Sequence, residues 1–282
     1  FLWWFYRSYP WKALEGTTIQ RLYNSIILKT EIHLPEKSEQ EEIARTLSQF
    51  DTYIDDLTVL IEKKRGIRDG ALMDLVSGRT RLEKFNDEWS EASLGSIGTF
   101  IKGAPLSKAD ITTNGNPLIL YGELYTTYRE VTYKAYRCTD RTVDEKHFSR
   151  VGDVIIPSSG ETAEEIATST CVMIPGVVLA GDLNIYRTKE LDGRFLSYVI
   201  NHIVNQKISE KAQGISIIHI KAKELAKITV CYPSVLEQAA IADIIDAMDE
   251  EIAALEIERD KMIQIREGAM DDLLTGRVRL NV

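Results

Sequence analysis

The sequence predicts an α+β protein: one globular mixed domain plus two long helices that pair as a coiled coil. Two observations carry this reading. Residues 35–82 recur as residues 233–280 at a constant offset of 198, and each copy has the apolar spacing of a coiled-coil helix. The intervening stretch, 83–233, reads as short β-like runs followed by helix, an order that favours α+β.

The first copy opens Pro35-Glu36-Lys37-Ser38-Glu39-Gln40-Glu41-Glu42-Ile43-Ala44, which returns as Pro233-Ser234-Val235-Leu236-Glu237-Gln238-Ala239-Ala240-Ile241-Ala242. Gly78-Arg79-Thr80-Arg81-Leu82 closes it and returns as Gly276-Arg277-Val278-Arg279-Leu280. Between these ends Asp51, Ile54, Leu57, Lys63, Arg68, Gly70, Ala71, Asp74 and Leu75 recur at the same offset. In the first copy Ile43, Leu47, Phe50, Ile54, Leu57 and Ile61 step by four and three, the seam of a coiled coil. Ile241, Ile245, Met248, Ile252, Leu255 and Met262 follow in the second, with a break at Arg259 and a change of phase in the first near Gly66. Pro35 and Pro233 precede the helices, where a missing N–H costs nothing. Ser38 with Glu41 makes a capping-box pattern, and Gly78 and Gly276 stand where a helix stops. A helix over 39–76 would be about 57 Å long at 1.5 Å per residue. Alone, such a helix leaves its stripe exposed; two copies bury each other.

Within 83–233 the expected strands are 97–101, 118–121, 153–156, 171–174, 177–180 and 183–186, separated by Gly, Pro, Asn and Ser clusters. One helix is expected from Phe195 to Lys211, a further turn over 223–226, and a last run at 228–230.

Composition bounds the function. The chain has 282 residues, 27% charged and 44% hydrophobic, an ordinary globular balance. Cys138, Cys171 and Cys231 show neither pairing nor metal-ligand spacing, which suits a reducing cytoplasm. No apolar run reaches membrane-span length. Residues 234–282 carry −7 of the net −9, so the acidity sits on the second helix. It weakens a nucleic-acid partner without excluding one, because the face that meets phosphate decides.

The loops of 83–233 are rich in groups that contact bases or phosphates. Tyr121, Tyr125, Thr126, Thr127, Tyr128 and Arg129 form one run, and Ser158, Ser159, Glu161 and Thr162 another. Lys102 and Lys108 supply charge, and Ser216 and His219 close the domain. The competing reading is that the Tyr and Thr are merely strand formers. Catalytic motifs are absent: no Gly-x-x-x-x-Gly-Lys, Gly-x-Gly-x-x-Gly, Gly-x-Ser-x-Gly or His-Glu-x-x-His. Asn116-Pro117-Leu118 lacks the Pro-Pro-aromatic of an amino-methyltransferase. His33, His147, His202 and His219 are scattered and are expected at the surface or satisfied. These residues expect no catalysis and no metal in this chain.

Two copies of Pro-x-x-x-Glu-Gln-x-x-Ile-Ala, each leading into a helix that ends Leu-x-x-Gly-Arg-x-Arg-Leu, resemble the conserved regions of Type I restriction–modification specificity subunits. The stretch from Trp89-Ser90-Glu91 through Gly181-Asp182-Leu183-Asn184 resembles a target recognition domain. The resemblance implies a non-catalytic subunit that reads one half of a bipartite site in double-stranded DNA. It implies that the two helices pack antiparallel and dock two methyltransferase subunits. S-adenosylmethionine would belong to those subunits, and ATP and Mg to a joining motor-nuclease. It divides the chain into a remnant of a first recognition domain (1–34), a central helix (35–82), a second recognition domain (83–233) and a distal helix (234–282). Phe1-Leu2 would match Phe195-Leu196, and Gly16, Ile19 and Lys29 would match Gly214, Ile217 and Lys227. On that register most of a first domain is expected to be missing, by truncation or fragmentation, and two copies of the chain could dimerise. The alternative is a coiled-coil interaction scaffold that does not read DNA.

Overall fold

In the computed structural model each copy of the repeat is one unbroken helix of 40 residues, Lys37–Val76 and Val235–Leu274. The structure describes residues 1–11, 22, 24–214 and 218–281. The chain forms two compact units, residues 1–67 with 248–282, and residues 68–247. The predicted matches at Gly16, Ile19 and Ile217 lie outside the described residues.

In the first unit the helices run antiparallel. Asp51 accepts from Arg266 at 2.6 Å, Tyr53 donates to Glu258, and Lys64 reaches Glu251 at 2.6 Å, so partner numbers fall as helix numbers rise. Ile43 and Leu47 pack with Trp4, Leu273 and Leu274 in one buried cluster. Trp4 comes from the short helix Leu2–Ser8. Ile54, Leu57, Ile61 and Ile252 are also buried, whereas Phe50, Met248, Leu255 and Met262 are half-buried. Neither Gly66 nor Arg259 interrupts a helix.

The helix ends share one turn geometry. Gly78 and Gly276 have φ of +71° and +74°, a region that glycine enters freely. Thr80 N–H donates to the Asp74 carbonyl, and Val278 N–H to that of Asp272, both at 3.1 Å. The start differs from expectation. Ser38 lies inside the helix, because Gln40 N–H already donates to the Glu36 carbonyl. The capping hydroxyl belongs to Ser234 of the second copy, which accepts from Glu237 N–H at 3.4 Å.

The second unit holds the strands: β1 (Ser90–Ser93), β2 (Gly98–Lys102), β3 (Asn116–Leu120), β4 (Val131–Thr132), β5 (Arg137–Thr139), β6 (Asp153–Pro157), β7 (Ser159–Gly160), β8 (Thr170–Val172), β9 (Val178–Ala180), β10 (Leu183–Thr188), β11 (Ile218–His219) and β12 (Thr229–Tyr232). Five form one sheet in the order β2-β10-β6-β8-β4, and three form another, β5-β3-β9. Side chains alternate across β3 and β9 as strand geometry requires. Ile119 and Leu179 join Ile155, Val172 and Ile185 of the larger sheet in the core, while Leu118, Leu120, Val178 and Ala180 pack under Ile111, Val143 and Phe148. Ile97, expected to begin a strand, closes the short helix Leu94–Ile97.

The helix expected over 195–211 is two. Asp192 caps Gly193–His202 by accepting from Arg194 N–H at 2.8 Å, and a second helix covers Asn205–Ser209. At the break Val204 N–H donates to the Val199 carbonyl, and Asn205 Oδ1 accepts from Gln206 N–H. Asn competes with helical hydrogen bonding in this way. Ile241 and Ile245 of the second long helix are buried in this unit.

Candidate functional site

The two loops singled out by composition meet in one cleft of about 900 Å³ in the second unit. β3 ends at Leu120, and the chain turns through the 3₁₀ segment Tyr121–Tyr125. Glu123 accepts from Leu120 N–H at 3.0 Å, and its carbonyl accepts from Thr127 and Tyr128 N–H. This leaves Thr126 and Thr127 exposed, with hydroxyls 3.2 Å apart. Tyr125 crosses to the second loop and donates its hydroxyl to the Ser159 carbonyl at 2.6 Å. Tyr121 rests against Gly181: a Cβ there would lie 2.8 Å from the ring, and φ is +85°, so only glycine permits the approach.

The second loop is held from below. β7 pairs with β11, placing Ser159 opposite His219. Ser158 and Ser159 are buried; Ser158 accepts from Lys102 at 3.0 Å. Lys102 also binds Asp182, which His219 approaches at 3.9 Å. Burial pushes the Asp182 carboxyl up, but the Lys102 hydrogen bond and charge outweigh it and hold it below the ordinary value. Thr162 caps the following helical turn by accepting from Glu165 N–H at 3.1 Å, and Glu165 accepts from Glu161 N–H at 2.8 Å.

Of the predicted residues, Lys108, Tyr121, Tyr125, Thr126, Thr127 and Glu161 line the cleft. Thr162, Lys102, Ser158, Ser159 and His219 support it. Tyr128 does not face it: the ring is in the core, its hydroxyl accepts from Tyr136 N–H at 3.2 Å, and burial pushes its pKa up to about 12. Arg129, one residue on, lines a separate hollow with Asn201 and His202. Ser216 lies outside the described residues. Arg137 was missed; pairing of β5 with β3 brings it to the cleft, 3.4 Å from Glu123. No local signal marks it. Asp182 and Glu165 also line the cleft, so it is polar with mixed charge rather than basic. His147, expected to be exposed or satisfied, is buried with Nδ1 lacking a partner among the described residues.

The chain thus pairs a mixed α+β unit holding a polar loop cleft with a long helix duplicated within the sequence. The chain belongs to the Type I restriction modification DNA specificity domain family, matched over residues 3–64 and 86–265. It is 19% identical over 94% of its length to the Type I restriction enzyme MjaVIII specificity subunit of Methanocaldococcus jannaschii, covering 66% of that protein. It is 26% identical over 88% of its length to the putative MjaX specificity subunit of the same organism, covering 59% of it. The chain thus spans less than two thirds of the length of these relatives. Among solved structures, the Type I S subunit of M. genitalium superposes with a TM-score of 0.60 at 22% identity, covering 92% of this chain and 67% of that one. The HsdS subunit of Thermoanaerobacter tengcongensis gives 0.53 at 15% identity, over 98% of this chain and 68% of that one. These structures share the α+β fold with long helices. Among the described residues no helix is long and apolar enough to cross a membrane.

Proposed function

We propose that this chain reads one half of a bipartite DNA target through the cleft between the 121–127 and 158–162 loops. In this reading it is a non-catalytic specificity subunit of a Type I restriction–modification complex in the cytoplasm. The paired helices are the platform for two methyltransferase subunits, which carry S-adenosylmethionine, and for motor-nuclease subunits, which use ATP and Mg.

The observation that carries the proposal is the convergence of two separate polar loops on one cleft, locked by the Tyr125–Ser159 hydrogen bond. Exposed hydroxyls and Lys108 there suit phosphate contact, while carboxylates and tyrosines suit base edges. The test is duplex DNA binding by fluorescence anisotropy across a salt series. Each phosphate neutralised steepens the log K against log salt slope by about 0.9. Lys108→Ala should therefore make the slope shallower by about one unit while weakening all sequences alike. Affinity that stays flat from low to moderate salt refutes DNA reading and leaves the scaffold.

A further inference from the structure

Four carboxylates line the cleft, and three are engaged internally. Glu123 accepts from Leu120 N–H and faces Arg137. Glu165 accepts from Glu161 and Thr162 N–H. Asp182 is bound by Lys102. Glu161 differs: its side chain is exposed and engages no described residue, while its backbone is pinned by Glu165.

A carboxylate with no described partner is costly in a site for a polyanion, because it repels phosphate near it. It is stabilised there only by a group that donates hydrogen bonds. An ionised carboxylate is acceptor-only. In the major groove the donors are the exocyclic amino groups of cytosine and adenine; guanine O6 and N7 and thymine O4 are acceptors, which it rejects. Resting on the DNA-reading proposal above, we propose that Glu161 is a specificity-determining residue that accepts a hydrogen bond from the exocyclic amino group of one base of the target. Attraction to the amino group and repulsion of the competing acceptors then act at the same position.

The experiment is selection by the full chain from a pool of duplex DNA with a randomised segment at low salt, followed by binding to single-base variants of the enriched sequence. The wild type should restrict one position to an amino-bearing base by roughly 5- to 150-fold. Glu161→Ala should lose discrimination at that position alone, with an unchanged melting temperature. Glu161→Gln separates the two bases: an amide pairs with adenine N6 and N7, so a cytosine position shifts towards adenine, whereas an adenine position keeps adenine. If Glu161→Ala enriches the unchanged sequence, or binds all sequences more tightly by one common factor, Glu161 is not a reader, although salt-dependent DNA binding would stand. If the wild type shows neither sequence preference nor salt dependence, the DNA-reading proposal fails and takes this inference with it.

Discussion

Arg187→Met removes the donor from a well-enclosed ion pair of the second unit. Arg187 on β10 and Asp153 at the start of β6 are 12% and 4% exposed. Nε donates to Oδ1 at 3.0 Å and Oδ2 at 3.1 Å, and Nη2 to Oδ2 at 2.9 Å and to the Phe148 carbonyl at 2.7 Å. Met keeps the apolar stem but leaves a buried carboxylate and a carbonyl without this donor. Breaking a buried pair from one side costs about 3–5 kcal/mol. With a urea m-value of about 1–3 kcal/mol/M, the midpoint should fall by roughly 2 M. Adding Asp153→Asn removes the stranded charge, and the amide carbonyl still accepts from Arg150 N–H, the bond Asp153 makes at 2.9 Å. The double variant should therefore recover part of the loss, with a coupling energy of about 1–3 kcal/mol. Urea unfolding followed by circular dichroism of the four proteins measures the cycle. A single-variant loss below about 1 kcal/mol, or a double variant equal to the sum of the singles, would refute the reasoning. Asp182, at the cleft, precedes the opposite end of β10, so under the proposed DNA reading folded Arg187→Met should keep wild-type salt dependence.

Leu47 is fully buried against Trp4, Ile43, Leu273 and Leu274; Leu47→Ala should cost about 2–5 kcal/mol. Val59→Ala, on an exposed face of the same helix, should stay within about 0.5 kcal/mol in the same melts. Burial pushes the Glu130 carboxyl up, but a 2.8 Å hydrogen bond with His202 and the Arg68 guanidinium outweigh it and hold it at about 2. Its folded value lies below its unfolded one, so its contribution is complete above about pH 4.5 and is lost as pH falls towards 2, by about 3 kcal/mol. Glu130→Gln should flatten that part of the stability profile; parallel wild-type and variant profiles between pH 5 and 2 would count against the pairing.

Both long helices were legible because seam spacing and a glycine stop are local signals repeated twice. The start was misjudged at Ser38 because Ser-x-x-Glu also occurs inside a first turn; only the backbone bond from Gln40 to Glu36 shows that the helix has begun. The three-residue β5 is too short for a periodicity, and it is β5 that carries Arg137 into the cleft through pairing with β3. Loop composition singled out two segments that meet in one cleft, but not their inward and outward positions. Tyr128 and Thr127 are adjacent and equally plausible in sequence, yet one is core and one exposed. That choice is made by the turn that Glu123 caps.

The repeat holds at the level of single hydrogen bonds, and those bonds are reciprocal. Arg81, from the tail of the first copy, donates to both oxygens of Glu237 at the head of the second, at 2.6 and 2.7 Å. Arg279, from the tail of the second, donates to both oxygens of Glu39 at the head of the first, at 2.8 and 2.6 Å. Hydrogen bonds from Arg279 and from Leu280 N–H hold the Glu39 carboxyl at about 2. Glu39 and Glu237 are both buried, so a solitary copy would bury a carboxylate without its arginine, a cost that the duplicate removes. Gln40 and Gln238 likewise each donate to the carbonyl of the proline ahead of their helix at 2.9 Å. There the copies part. Gln238 also accepts from Asp192 N–H at 2.8 Å, and Asp192 caps the helix Gly193–His202 and binds Arg194. The Gln40 side chain makes only the Pro35 bond among the described residues. One glutamine thus fastens the head of its own helix and, in the second copy, also the capped start of the helix Gly193–His202 in the same unit.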